Sequence, residues 1–229
     1  MNILNFRSRL YVMFRIFYHV IHITVCTKHL YLTLEEQREK FIKLCSDMGV
    51  KAILIELQSG KPENGKFQFQ TSKYYKKSFR NVRIDIDKIT REFVSQGWIV
   101  ERQKIEATPC LRPGLVNCPI EDHDIKNYPE SNYFEFHAKI LISPDNENTV
   151  KGLCKTHDAH LSRNAFKKLE FGDHRFLTLR IYGVGQKTSF QRFDRLLNDL
   201  DQHLINIIQS QREYAVWDTN VRLDAGWIN

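Results

Sequence analysis

Between Tyr133 and Ile142 the chain reads YFEFHAKILI, and apolar and polar side chains alternate along most of it. Successive side chains of a strand point to opposite faces, so this pattern dictates a strand with one wet face and one dry face. Phe134, Phe136, Ala138, Ile140 and Ile142 look towards a core, while Tyr133, Glu135, His137 and Lys139 look away from it. Two further segments carry the same signature. Leu177, Leu179 and Ile181 alternate with Thr178, Arg180 and Tyr182, and Arg102, Lys104 and Glu106 share one face opposite Ile105 and Ala107. Half-buried strands of this kind call for a mainly antiparallel sheet with helices packed against its apolar face.

The helices are as legible as the strands. Thr33-Leu34-Glu35-Glu36 is a capping box, and Leu34, Phe41, Leu44, Cys45 and Met48 form the stripe that follows it, stopped by Gly49. Val50–Leu57 reads as a strand, and the polar, Gly- and Pro-bearing stretch from Gln58 to Lys77 as a surface loop. A helix over 84–96, a strand over 98–108, a turn-rich linker over 108–132 and the strand 133–142 come next. A short helix over 146–156, an extended segment over 160–166 and a strand over 175–183 follow. The longest helix is expected to carry Phe193, Leu196, Leu197, Leu200, Leu204, Ile207 and Ile208, with a last strand over 213–219. After the opening helix this order predicts an α+β fold: a ferredoxin-like βαββαβ unit extended by a further βαβ, with helices on one face.

Charge divides the chain unevenly. The net charge is +7, but Arg7, Arg9, Arg15 and Lys28 precede the first acid, Glu35, and without them 30 basic residues face 27 acidic ones. Residues 1–32 therefore read as a basic, apolar leader, accessory or targeting, ahead of a single domain over 33–229. An arginine inside a span costs about 2.5–3.5 kcal/mol, so Arg15 argues against a stable membrane helix there. Five scattered cysteines without a Cys-x-x-Cys favour reduced thiols and a cytoplasmic setting, or a mitochondrial one if the leader is a transit peptide.

The polar face carries the candidate chemistry. His137 and His160 are the proton-transfer candidates, with Glu135 orienting an imidazole, and Lys139, Arg163, Arg180, Lys104 and Tyr182 would hold a substrate. Mixed ammonium, guanidinium and imidazole groups suit a small anionic ligand or a nucleotide. Single-stranded nucleic acid at the Lys73–Lys77 stretch, or a protein partner, is the competing expectation. His160-Leu161-Ser162 resembles one half of the two-histidine phosphoesterase motif. Its nearest partner, His137-Ala138-Lys139, has lysine where the hydroxyl belongs. Glu135-Phe136-His137-Ala138-Lys139 resembles the Glu-x-Glu-x-Lys of triphosphate tunnel enzymes, with a histidine in place of the second acid. Glu106, Glu135 and His137 offer donors for a divalent ion, but this departure assigns no metal, and no cofactor is implied.

The segments YFEFHAKI, AHLSRNAFKK, RFLTLRIYGVG and REYAVWDTNVRLDAGWI resemble a family of bacterial and some eukaryotic proteins without an assigned reaction. The resemblance covers Thr33 to Asn229. It implies His137, Lys139, His160, Arg163, Asn164, Arg180 and Asp224 as positions to test, and adds no catalytic role.

Overall fold

The alternating strands do not lie open to water on their polar side; they close into a ring. The computed structural model describes residues 16–26, 31–57, 67–109, 117–164 and 173–224. Its strands are β1 (Ile16–Cys26), β2 (Lys51–Leu57), β3 (Phe67–Ser78), β4 (Ile99–Ala107), β5 (Tyr133–Ile142), β6 (Ala159–Asn164), β7 (Asp173–Ile181) and β8 (Ile207–Asp218). The helices are α1 (Leu34–Asp47), α2 (Phe79–Ser95), α3 (Glu147–His157) and α4 (Gln186–Gln202). The strands form a closed barrel in the order β1-β3-β2-β6-β7-β5-β8-β4, with β4 pairing back onto β1 and every pairing antiparallel.

That order contains the same unit twice. β1-α1-β2-β3-α2-β4 and β5-α3-β6-β7-α4-β8 are both βαββαβ, with strands arranged fourth, first, third, second in each half. The expected ferredoxin-like motif is present, but its phase and extent differ from the sequence reading. The unit begins one strand earlier, at β1, and the extra βαβ is part of a complete second unit. The open sheet with helices on one face is replaced by a barrel with helices outside.

Two dry cores lie between barrel wall and helices. Ile21, Ile23 and Val25 of β1, Leu54 and Phe69 pack with Phe41 of α1 and with Val82, Ile86, Ile89 and Phe93 of α2. The spacing of that α2 set, 4-3-4, is a single helical face. Phe134, Phe136, Ala138 and Ile140 pack against α3 and α4 through Val150, Phe193, Leu196 and Leu200, with Phe136 stacked on Phe193 at 4.8 Å between centroids. Residues of the opposite parity therefore face the barrel interior.

Four local readings change, the first being the helix expected over 84–96, which begins earlier, at Phe79, behind the Ser78 cap. Ile16–Cys26, set apart above as leader, is a wall strand between β3 and β4. Phe67–Ser78, expected as loop, is β3. α4 ends at Gln202, where Leu204 takes a positive φ of 58°, so Ile207 and Ile208 belong to β8 and not to the helix. The capping box forms as read: Thr33 N donates to Glu36 Oε2 at 2.7 Å, and Glu36 N donates to Thr33 Oγ1 at 3.3 Å. In the 108–132 stretch, residues 110–116 lie outside the described residues. The remainder includes the 3-10 turn Asp122–Asn127, which docks on the start of α4. Gly185 N donates to Asp122 Oδ1 at 2.7 Å, and a Cβ on Gly185 would lie 2.6 Å from the Glu121 carbonyl oxygen. Only glycine fits there.

Candidate functional site: the barrel interior

Parity and register bring the polar faces of separate strands into one interior. Glu135 and His137 of β5 stand opposite Arg180 and Thr178 of β7 on one side and opposite Glu213 and Gln211 of β8 on the other. β4 sends in Arg102, Lys104 and Glu106, and β1 sends in His22. An eight-stranded barrel is just wide enough for its own side chains or one small ligand.

The inner layer is a buried ion network. Lys104 Nζ lies 2.8 Å from Glu106 Oε1 and 3.1 Å from Glu135 Oε1. Arg180 Nε donates to Glu135 Oε2 at 2.7 Å. Burial opposes the ionisation of Glu135, yet Arg180 and Lys104 overcome it and hold the carboxyl well below the usual range. Beside this lies a second cluster, in which Arg102 Nε donates to Asp218 at 3.0 Å and Tyr133 Oη donates to Asp218 Oδ2 at 2.8 Å.

Each half adds a histidine–glutamate pair at the corresponding place. His22 Nε2 lies 3.0 Å from Glu106 Oε2, and His137 Nε2 lies 3.5 Å from Glu213 Oε2. In both halves the glutamate stands opposite the residue two places before the histidine, Val20 in one and Glu135 in the other. The pairs are thus repeats of one arrangement. His137 is further fixed by Thr178 Oγ1, 3.0 Å from Nδ1, and by Glu135 Oε1, 3.2 Å from Nε2. Burial would depress its basicity, but hydrogen bonding to Glu135 and the charges of Glu135 and Glu213 raise it. Glu213 is pushed up to about 8 by burial first and by the charge of Glu106 second.

Exposure separates the supporting groups from the reachable ones. The side chains of Lys104, Glu106 and Glu135 are 3%, 0% and 2% exposed, while His137 keeps 23%. Lys139, two residues along β5 on the same face and half-buried, has no ion-pair partner among the described residues. His160 stands opposite Thr178 on β6, so two imidazoles flank that threonine from neighbouring strands.

Other candidates sit elsewhere. Arg163 has the outward parity of β6 and is paired with Glu56 of β2, outside the interior. Tyr182 lies just past β7, 45% exposed, its ring 4.7 Å from that of Tyr133. The Asp224 side chain and residues 165–166 lie outside the described residues. Lys73 to Lys77 belong to β3, where Lys77 Nζ is 2.6 Å from Asp85 and Lys73 and Lys77 lie over the Tyr75 ring. A separate groove of about 640 Å³ between α1 and α2, lined by Lys40, Leu44, Met48, Lys88 and Trp98 among others, includes none of the sequence-derived candidates.

The sequence reading passed over His22, Glu213 and Asp218. His22-Ile23-Thr24 is itself a His-x-Thr, a legible signal inside the stretch that reads as a leader. β1 and β6, which carry this tripeptide and His160-Leu161-Ser162, are not neighbours in the barrel.

No family model and no curated protein matches the chain. Among solved structures it is similar to a chlorite dismutase mutant from Candidatus Nitrospira defluvii, at 9% identity and a TM-score of 0.32 over 96% of this chain and 98% of that one. The small subunit of acetolactate synthase from Thermotoga maritima matches at 12% identity and a TM-score of 0.26, covering 87% and 98%. A putative monooxygenase from Lactobacillus acidophilus matches at 8% and 0.29, covering 86% and 93%. These scores carry nothing about ligand or activity, and the ferredoxin-like class of each half rests on its own strand order. Among the described residues no helix is long and apolar enough to cross a membrane.

Proposed function

We propose that the barrel interior binds a small anionic, phosphate-bearing ligand and hydrolyses a phosphoester bond in it. One observation carries this reading: Lys139 and the partly exposed His137 share one face of β5, while Lys104, Arg180 and Arg102 of the described interior are each committed to a carboxylate. Lys139 holds the anion. His137, oriented by Glu135 and Thr178, takes the proton of the attacking water as its oxygen bonds to phosphorus and the ester oxygen departs with the electron pair of the broken bond. Lys104 and Arg180, first read as substrate contacts, act instead through Glu135. Arg163 has no part in it.

Calorimetric titration with pyrophosphate and AMP tests the binding, and turnover of bis(p-nitrophenyl) phosphate tests the chemistry. Lys139→Met is expected to abolish binding, and His137→Ala to abolish turnover, each with the melting temperature nearly unchanged. Absence of binding to either anion by the wild-type chain would remove the proposal.

A further inference from the structure

We infer that the barrel interior also holds a divalent cation, ligated by Glu106, His137 and Glu213. This rests on the reading of the interior as the ligand site and extends it. Ligand atoms from these three side chains all lie within 4.8 Å of one another. His137 Nε2 and Glu213 Oε2 are 3.5 Å apart, close to the roughly 3–3.5 Å separating two donors that each sit about 2.1 Å from one ion.

Charge and burial point the same way. Lys104 and Arg180 are taken up by Glu106 and Glu135, and Arg102 by Asp218, so Glu213 has no fixed cation of its own among the described residues. Glu213 meets only His137 at ion-pair distance among the described residues. Glu106 is wholly buried, and its oxygens meet Lys104 and His22 as charge contacts without the direction of hydrogen bonds. Burial opposes the ionisation of Glu106, but Lys104 and His22 together outweigh it, so a buried carboxylate stands ready beside His137 and Glu213.

Two carboxylates and one imidazole suit the borderline ions Mn2+, Fe2+, Co2+ and Zn2+, and three protein donors leave coordination positions open. His22, 3.0 Å from Glu106 Oε2, is the positioning residue that fixes the glutamate. His137 and Glu213 are the partly exposed members, at 23% and 12%, so the ion enters from their side. With the ion bound, His137 Nε2 is a ligand and gives up the proton-accepting role it has in the metal-free site, while half-buried Lys139 remains for an anion.

The test is a titration of Co2+ into the full chain after chelator treatment, followed by visible absorption and calorimetry with no anion present. One ion per chain is expected. Glu213→Gln should weaken it by more than the roughly 10- to 100-fold that outer-shell changes cost, and His22→Ala should stay within that range. Circular dichroism and melting of each variant establish that it is folded. Absence of saturable binding at one ion per chain, or wild-type affinity in both Glu213→Gln and His137→Gln, overturns the inference. Pyrophosphate titrated into the metal-free protein separates the two readings: anion binding without Co2+ binding overturns the cation site alone. Co2+ binding without anion binding sinks the anion reading alone.

Discussion

Lys104 shows how much a single interior side chain carries. Its ammonium is buried between Glu106 and Glu135, and their attraction raises its basicity although burial works against it. Lys104→Met leaves two buried carboxylates short of a cation, and the expected loss in denaturant melts is about 3–5 kcal/mol. A loss below about 1 kcal/mol would mean that water enters and solvates those carboxylates. The thiols of Cys45 and Cys154 give a second measurement. Burial pushes both up to about 12, so neither should react with Ellman's reagent at pH 8 until the protein is unfolded. Rapid labelling of the native chain would show that α1 or α3 opens locally. Parity alone made Lys104, Glu106, Glu135, His137, Thr178 and Arg180 legible as one polar set. It also places Arg163 on the outer face, since Leu161 beside it packs in the core. Glu213 falls in the strand expected over 213–219, but that strand shows no regular polar face in sequence, so parity does not single it out.

At the scale of elements, β1 is the main departure from expectation. Ile21 and Ile23 are fully buried against α1 and α2, so the strand belongs to the core. Removing residues 1–26 is expected to abolish the cooperative melt, whereas an accessory leader would leave it unchanged. Ile23→Ala in the full chain should cost about 2–5 kcal/mol. The period-two alternation of Ile21, Ile23 and Val25 is short, and it sits in a basic, acid-free stretch around Arg15 whose composition reads as a leader. β3 escaped for another reason. Its inward positions are polar, and beyond Phe69 the outward ones are Thr71, Lys73, Tyr75 and Lys77, so the two faces differ little in hydropathy. α4 reads too long in sequence because the apolar spacing of its last turn continues into Ile207 and Ile208. Local chain reversal at Leu204, 91% exposed, is invisible to periodicity. Strand β5, the capping box of α1 and the α2 stripe were legible because each is a local pattern with a strong period.

Closure of the ring belongs to the whole molecule, and no local pattern encodes it. The halves meet where Ile55, Glu56 and Leu57 pair with Asn164, Arg163 and Ser162, and where β4 pairs with β8. Asp218 fastens the second of these seams, joined to Arg102 of β4 and Tyr133 of β5. Burial opposes its ionisation, but hydrogen bonding to Arg102 and the guanidinium charge win and hold its carboxyl below the usual range. A carboxylate lowered in the folded state contributes stability above its unfolded pKa of about 4, and that contribution is lost as pH falls through the folded value. Melting temperatures taken from pH 6 down to pH 2 should therefore drop, and Asp218→Asn should flatten the drop; an unchanged profile would assign acid sensitivity elsewhere.

Because each half is a four-stranded sheet whose outer strands are covered only by the other half, neither is expected to live alone in water. A chain cut in the 108–132 connection and produced as its first half would expose β2 and β4 along their full length. A second copy can satisfy both bare edges in the same antiparallel sense, so such a fragment should associate as a pair.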